Sequence, residues 1–173
     1  MLVEFRVKNF LSFQGEQVLS LVASEDKKHE DTHTFNPTNS NNLSLLKSVA
    51  VYGANASGKS NLIKAVNAMQ RIVKESFNRQ KCIEENATPF LLGSSNCKPT
   101  EFEITFFIDG VRYQYGFSVT KERIVEEWLV SYHKNKEPKE LFSRIYNKKS
   151  SNYKWIDNLE GTKDAKKTLE RIY

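Results

Sequence analysis

Regular alternation of apolar and polar residues predicts β-strands near the start of the chain. Residues 2–8 alternate, and a second alternating run from Gln17 to Val22 follows a polar turn that contains Gly15. Two such runs joined by a glycine-containing turn are typical of a β-hairpin. We therefore predict a hairpin over residues 1–22.

The clearest alternation lies in the second half of the chain. It runs from Glu101 to Val119 and is interrupted only at Asp109-Gly110, a dipeptide that favours two-residue hairpin turns. Further strands are predicted at residues 123–133, 140–146 and 153–155. Together these segments predict an antiparallel β-meander.

A helical period begins in the middle of the chain. Apolar residues recur at intervals of three and four in a predicted helix that runs from Lys59 to about Ser76. The apolar run from Val49 to Tyr52 predicts a short buried strand that leads towards this helix from Lys47. The chain therefore presents a strand, a glycine-containing loop and a helix in succession.

The loop between this strand and helix completes the pattern G-x-x-x-x-G-K-[ST] with Gly53, Gly58, Lys59 and Ser60. Glycine lets consecutive backbone N–H groups turn towards an anion, and the helix directs the positive end of its dipole to the same point. The lysine can reach the β- and γ-phosphates of a nucleotide, and the Ser60 hydroxyl can bind Mg²⁺. A chance match in a strand–loop–helix context is rare, so we predict that the chain binds a nucleoside triphosphate.

The predicted nucleotide-binding residues all belong to this loop and to the first turn of the helix. They are Gly53, Asn55, Ala56, Ser57, Gly58, Lys59, Ser60 and Asn61, with Ser60 as the predicted metal ligand. Ser12 and Phe13 are further candidates, for the neighbourhood of the nucleoside. The sequence contains no motif for an adenine pocket.

The segments between these elements are polar or mixed. Residues 23–43 predict a long loop, and residues 77–99 predict a mixed region with a short edge strand near residues 90–92. Residues 161–173 predict a helix. A long loop beside a nucleotide site is a place where functional residues are often found.

One stretch of the long loop matches a zinc-protease pattern by its letters alone. His29-Glu-Asp-Thr-His33 spells H-E-x-x-H, but zinc binding requires both histidines on one face of a stable helix and a third ligand. The flanking residues lack apolar periodicity, and His133 lies far away in the sequence. We interpret both histidines as solvated loop residues.

Two other acidic sequences could be taken for catalytic groups. The strand that ends at Asp109 resembles a Walker B strand, but the following Gly110 makes Asp109 a turn residue. Glu126 and Glu127 are adjacent in a predicted strand, so their side chains point to opposite faces of the sheet. We interpret both glutamates as exposed charges and not as an acid–base pair.

Composition limits the classes of protein to consider. The 173 residues suit one domain or a large piece of one, no run of 18 apolar residues predicts a membrane helix, and the alternating first residues predict a strand in place of a secretory leader. Cys82 and Cys97 predict reduced thiols in a cytoplasmic protein. Residues 134–173 carry eleven Lys or Arg and six Asp or Glu, which equals the whole net charge of +5. This basic end is compatible with DNA or RNA as a partner, although a solvated lysine-rich surface is the favoured interpretation.

The opening residues and the loop together resemble a known superfamily. Residues 1–13, MLVEFRVKNFLSF, are similar to the first strand and Asn-Phe…Ser-Phe turn of ABC-type ATPases related to SMC proteins, RecF and the overcoming-lysogenization-defect nucleases. Residues 53–61 resemble their phosphate loop. The Ala54-Asn55-Ala56 version is most similar to prokaryotic AAA-family ATP-binding proteins, many of which are linked to abortive infection and phage defence.

This resemblance implies an α/β fold, in which residues 1–173 form the N-terminal lobe of an ABC/SMC-like ATPase head with a mixed sheet and an antiparallel β-meander. It implies ATP and Mg²⁺ as ligands and a homodimer or complex that forms through ATPase heads. It also implies an effector subunit as a possible partner. No strand ending in Asp-Glu, signature motif or switch histidine occurs in the sequence, so we expect hydrolysis to need a C-terminal lobe and a second protomer. Leu11 departs from the basic residue that relatives carry there, which puts that residue's phosphate or DNA contact in doubt.

Two other functions are compatible with the sequence. A small phosphotransferase with a phosphate loop would need catalytic arginines on a lid, and the arginines here are dispersed. A nucleic-acid-binding or assembly module could use the loop as a structural phosphate site. Transfer of phosphate to an acceptor would favour the first alternative, and salt-sensitive DNA binding that ignores nucleotide would favour the second.

Overall fold

A computed structural model describes residues 1–26, 28–37, 43–79, 81–92 and 97–158 of the chain. The helix predicted for residues 161–173 lies outside these residues. The described elements are β1 (Leu2–Lys8), β2 (Gln17–Ser20), α1 (Glu30–His33), β3 (Thr34–Phe35), β4 (Leu45–Leu46), α2 (Lys59–Glu75), α3 (Cys82–Asn86), β5 (Thr100–Ile108), β6 (Val111–Val119), β7 (Ile124–Tyr132), β8 (Lys139–Asn147) and β9 (Asn152–Asp157).

Seven of the described strands form one sheet, in the order β2-β1-β5-β6-β7-β8-β9. Each pairing within it is antiparallel, and β5 to β9 follow one another as a meander. The turn between β5 and β6 is made by Asp109 and Gly110, both at positive φ, as the sequence predicts. The N-terminal hairpin and the meander are therefore confirmed.

The core lies between one face of this sheet and the two longer described helices. Phe5, Phe102 and Phe117 are almost fully buried in neighbouring strands, and their side chains belong to the same cluster as those of α2 and α3. Burial of each such ring stabilises the fold by roughly 1.5–3 kcal/mol. The helical residues that complete the cluster are Ala65, Ala68, Met69, Ile72, Ile83 and Ala87.

The strand predicted just before the phosphate loop is not found. Residues 48–52 have no strand partner among the described residues, and β4 ends at Leu46. Val49 and Val51 are each 47% exposed, and Tyr52 is 89% exposed. The prediction of a buried strand was wrong for the structure described, because an apolar run becomes a strand only where another strand accepts its backbone hydrogen bonds.

The predicted mixed sheet is corrected by the same observation. A mixed sheet needs at least one parallel pairing, and every strand pairing within the described ranges is antiparallel. The segment that would supply the parallel strand is the exposed run before the loop. The α/β class itself holds, with helices packed on one face of the sheet.

The connecting segments contain more structure than the sequence predicts. The long loop includes the single turn α1, and β3 pairs with β4. The short helix α3 occupies part of the region predicted to be mixed, while residues 90–92 form no strand. Such short elements carry weak periodicity, so sequence patterns detect them poorly.

Candidate functional site

The loop from Gly53 to Gly58 ends at the first turn of α2. Ala56 and Gly58 have positive φ angles of 62° and 96°, and Gly58 is the N-cap residue of the helix. Its carbonyl accepts hydrogen bonds from the N–H groups of Asn61 and Leu62. The N–H groups of Gly58, Lys59 and Ser60 donate to no described residue, so three donors converge where the helix begins.

The Lys59 side chain folds back over the loop. Its ammonium group donates to the carbonyl oxygens of Gly53 at 2.8 Å and Ala54 at 2.7 Å, and lies 3.4 Å from the Ser57 hydroxyl. These contacts close the loop into a ring around the ammonium group. The positive charge that a phosphate chain would require is therefore held beside the unpaired N–H donors.

The remaining predicted residues lie around this ring. Ser60 is exposed, and its hydroxyl makes no hydrogen bond with any residue that the structure describes. Asn55 is also exposed, at the tip of the loop. Asn61 points elsewhere, since its side-chain amide donates to the Ser12 hydroxyl at 2.8 Å. The donor set thus suits a polyphosphate and leaves one hydroxyl for a metal ion.

The turn after β1 packs against the loop through Ser12 and Phe13. A Cβ atom on Gly58 would lie 2.8 Å from Phe13 Cε1, so the aromatic ring touches the loop backbone where only glycine fits. Ser12 contacts Asn61 in the same region. The sequence predicts Ser12 and Phe13 near the nucleoside, and the structure places both against the loop; contact with a nucleoside stays a prediction.

Buried Asn9 anchors that turn, a role the sequence reasoning missed. Its side-chain amide donates to the carbonyls of Lys98 and Pro99, at 2.8 and 3.1 Å, and its side-chain oxygen accepts from the N–H of Phe90. The Thr100 hydroxyl donates to the Asn9 carbonyl. The Asn-Phe pair in the opening motif was the signal that could have pointed to it. Asn9 ties the loop-supporting turn to the start of β5.

The three acidic residues that could be taken for catalytic groups have different environments. Asp109 occupies the predicted turn. Glu126 is exposed, but Glu127 is buried: it accepts hydrogen bonds from Arg144 Nε and the Tyr115 hydroxyl, each at 2.6 Å. The interpretation of Glu127 as an exposed charge was therefore wrong, whereas the assignment of the two glutamates to opposite faces agrees with their burial. A buried ion pair of this kind is costly to break and lies in the meander.

The two histidines lie at the ends of the single turn α1, with His29 as its N-cap residue and His33 as its last residue. The rings of His29 and His33 are 5.2 Å apart between centroids, and His33 Nδ1 lies 2.9 Å from the Thr32 hydroxyl. The helical turn was not predicted. Across the described part of the chain, no group of three potential metal ligands occurs.

The two thiols differ in environment. Cys97 is exposed, whereas Cys82 is fully buried in α3. Burial raises the pKa of the Cys82 thiol above its ordinary value, and the nearby Glu75 carboxylate acts in the same direction. Cys82 is therefore a neutral core residue and not a reactive one.

Among the helices that the structure describes, none is both long and apolar enough to cross a membrane.

Comparison with known families gives one match. The model described as "AAA domain, putative AbiEii toxin, Type IV TA system" matches residues 48–171, which is more than half of the chain and includes the loop and the meander. No curated protein matches the chain. The match confirms the resemblance to AAA-family proteins of the abortive-infection type.

Proposed function

The chain belongs to this family of AAA domains, and from that premise we propose that it is the ATP- and Mg²⁺-binding N-terminal lobe of an ABC/SMC-like ATPase head. The family supports the coarser statement, a nucleotide-binding P-loop NTPase. The observation that supports ATP and Mg²⁺ binding is the loop at Gly53–Ser60, where three N–H groups without a described partner lie at the start of the helix next to the Lys59 ammonium group.

We expect the loop to bind a triphosphate through its backbone donors and Lys59. The N–H groups of Gly58, Lys59 and Ser60 would donate to phosphate oxygens, and the lysine would exchange its carbonyl partners for the β- and γ-phosphates. The free Ser60 hydroxyl would bind Mg²⁺. The metal ion, when bound, neutralises charge on the phosphate oxygens.

Unpaired apolar surface beside the loop supports the proposal that another lobe completes the head. The backbone of residues 48–52 makes no hydrogen bond to a described residue, although Val49, Val51 and Tyr52 are large apolar residues exposed to solvent. On α2 a second apolar stripe faces solvent on the side away from the core. Its members are Ile63, Val66 and Val73, and exposed Phe77 follows just beyond the end of the helix. A helix that is apolar on two sides suits a position between two layers, and residues 48–52 suit a strand at the edge of the second layer.

Hydrolysis demands groups that this lobe does not supply. A carboxylate must orient the attacking water, and further charge must stabilise the departing phosphates. Asp109 and Glu127, within the described residues, are held in a turn and in a buried ion pair. We expect the chain alone to bind ATP without turning it over, and the second lobe and a second protomer to supply the missing groups. A role in abortive infection or phage defence, with an effector subunit, is proposed on the family alone.

Calorimetry with ATP and Mg²⁺ tests the site assignment. Lys59→Ala should weaken binding about tenfold or more, because a hydrogen bond to a charged group contributes about 1.5–3 kcal/mol. Lys64→Ala is the matched control, since Lys64 is one turn further along the same helix and lines a separate cavity. Its affinity should equal that of the parent chain.

Two results would overturn the proposal. Equal ATP affinity in the Lys59→Ala and parent chains would remove the site. Multiple turnover by the purified chain, abolished by Lys59→Ala, would mean that the chain carries its own catalytic carboxylate. Phosphate transfer to a nucleoside or peptide in place of water would favour a phosphotransferase.

A further inference from the structure

A cleft of about 410 Å³ opens at one end of the meander, away from the residues assigned to ATP. Ala87 and Pro89, beyond the end of α3, contribute to its lining. Three segments of the sheet form most of the rest: residues 97–100 at the start of β5, the turn 120–123 between β6 and β7, and the β8–β9 turn that begins at Lys148. Because neighbouring strands are antiparallel, these segments meet at the same end of the sheet. We call this site the basic cleft.

The described lining of the basic cleft carries four cations and one carboxylate. The cations are Lys98, Lys121, Arg123 and Lys148. None of the three lysines forms an ion pair with a described residue. The single carboxylate, Glu122, is 80% exposed and only 3.9 Å from Arg123. The site therefore concentrates positive charge that the protein does not neutralise.

Arg123 is held in place by its neighbours. Its guanidinium carbon lies 4.3 Å from the centre of the Tyr146 ring, and the edge of that ring meets Tyr153. The Tyr153 hydroxyl donates to the Ile124 carbonyl at 2.6 Å, and the Thr120 N–H donates to the Arg123 carbonyl. A stacked guanidinium keeps its N–H edge free for a planar, two-point contact with a phosphate.

A second arginine–tyrosine stack on the sheet has the opposite surroundings. Arg112 lies 4.2 Å above the Tyr132 ring, in a cavity that also contains Arg6 and Lys8. Four carboxylates line that cavity, and they are Glu4, Glu16, Glu101 and Glu103. Arg6 and Lys8 are both paired with them. The two sites therefore share an arginine–tyrosine stack, and the basic cleft differs from the second site in having lysines that pair with no described carboxylate.

We propose that the basic cleft binds the phosphate backbone of a nucleic-acid strand. Four cations spread over three turns match a chain of phosphates better than a single ion, and such contacts gain free energy from counterion release. Arg123 covers one face of Tyr146 and Tyr153 meets the ring as well, so the cleft offers no open aromatic platform for bases. Binding should therefore be independent of sequence.

Fluorescence anisotropy tests the proposal. It measures the binding of labelled 30-mer DNA, single-stranded or duplex, at several salt concentrations and in the absence of ATP. Arg123→Ala should weaken binding about fivefold or more and should lower the salt slope by about one phosphate contact. Arg112→Ala removes the same charge and the same type of stack from the cavity that four carboxylates line, and its DNA affinity should stay within about twofold of that of the parent chain.

A second pair of variants leaves the arginine stack intact. Lys121→Ala with Lys148→Ala removes two charges from exposed turns of the cleft and should weaken binding and lower the salt slope. Lys134→Ala with Lys136→Ala removes two charges from the β7–β8 turn at the opposite end of the sheet, and is the matched control. Lys59→Ala, which tests the ATP site, should not change DNA affinity.

The outcomes separate the alternatives. Equal losses in the cleft variants and their controls would show that net charge alone attracts DNA, and would overturn the proposal. Displacement of DNA by pyrophosphate at similar concentration would indicate a small-phosphate site and would also overturn it. Loss of DNA binding in Lys59→Ala alone would assign the contact to the phosphate loop. Since ATP affinity is measured separately, failure here leaves the ATP proposal unaffected.

Discussion

The meander and the segment before the phosphate loop contain similar residues in opposite circumstances. Both have runs of valine and aromatic residues, but Phe102 and Phe117 are fully buried in paired strands, whereas Val49, Val51 and Tyr52 are exposed. Every strand of the meander finds a partner next to it in sequence. Residues 48–52 find none among the described residues.

From this difference we infer that one region of the chain provides most of the folding stability and another carries the proposed binding site. The meander packs the apolar residues of its inner face against α2 and α3, although another apolar stripe of α2 stays exposed. The loop that carries the proposed nucleotide-binding residues lies at the edge of this core, in contact with Phe13 and Ser12. Substitutions in the first region should therefore change the free energy of unfolding, and those in the second should change binding.

The largest effect is expected in the meander core. Phe117→Ala should lower the free energy of unfolding by about 3–5 kcal/mol, because the ring is fully buried between Phe102 and Tyr115. Urea denaturation followed by circular dichroism measures this loss. A cost below about 1 kcal/mol would mean that the sheet face is loosely packed, contrary to the burial observed.

An overpacking effect is expected on the other face of the sheet. A Cβ atom on Gly116 would lie 2.7 Å from Trp128 Cε2 and 3.0 Å from the Phe102 carbonyl. Gly116→Ala should therefore cost about 1–3 kcal/mol in the same denaturation experiment. Combining it with Trp128→Leu should recover part of the loss. If the two substitutions add independently, the indole ring is not what excludes the methyl group.

The loop should respond in binding more than in stability. Gly58→Ala places a side chain at φ 96° and against the Phe13 ring, at a cost of about 1–2 kcal/mol. Because this strain can relax by shifting the loop, ATP affinity should fall while the core stays folded. Calorimetry and denaturation on the same variant separate the two effects. Phe13→Leu is the companion change, and it should relieve the contact but not the backbone strain.

The smallest effect is expected in the exposed segment. Val49→Asp should change the stability of the isolated chain by no more than about 0.5 kcal/mol, because the side chain already faces solvent. The same substitution should impair assembly with the proposed second lobe, since a charge would enter an apolar contact. A large loss of stability in the chain alone would show that Val49 is buried in solution, and the contrast between the buried meander and an exposed segment before the loop would then be wrong.

Local pattern was sufficient for much of this protein. The two hairpins, the Asp109-Gly110 turn and the helix that begins at Lys59 depend on residues close together in sequence, and alternation or helical spacing reveals them. The nucleotide-binding motif is equally local, since its spacing alone specifies a glycine loop before a helix. Its assignment to ATP stays a proposal.

Tertiary structure decided what depends on distant partners. Apolar character predicted a buried strand at residues 49–52, but burial requires a neighbouring strand, and the described residues supply none. The pairing of Glu127 with Arg144, the Asn9 anchor and the Phe13 contact with Gly58 each join residues far apart in sequence. A one-dimensional pattern records how each residue interacts with solvent and its near neighbours; only the folded sheet determines which distant groups meet.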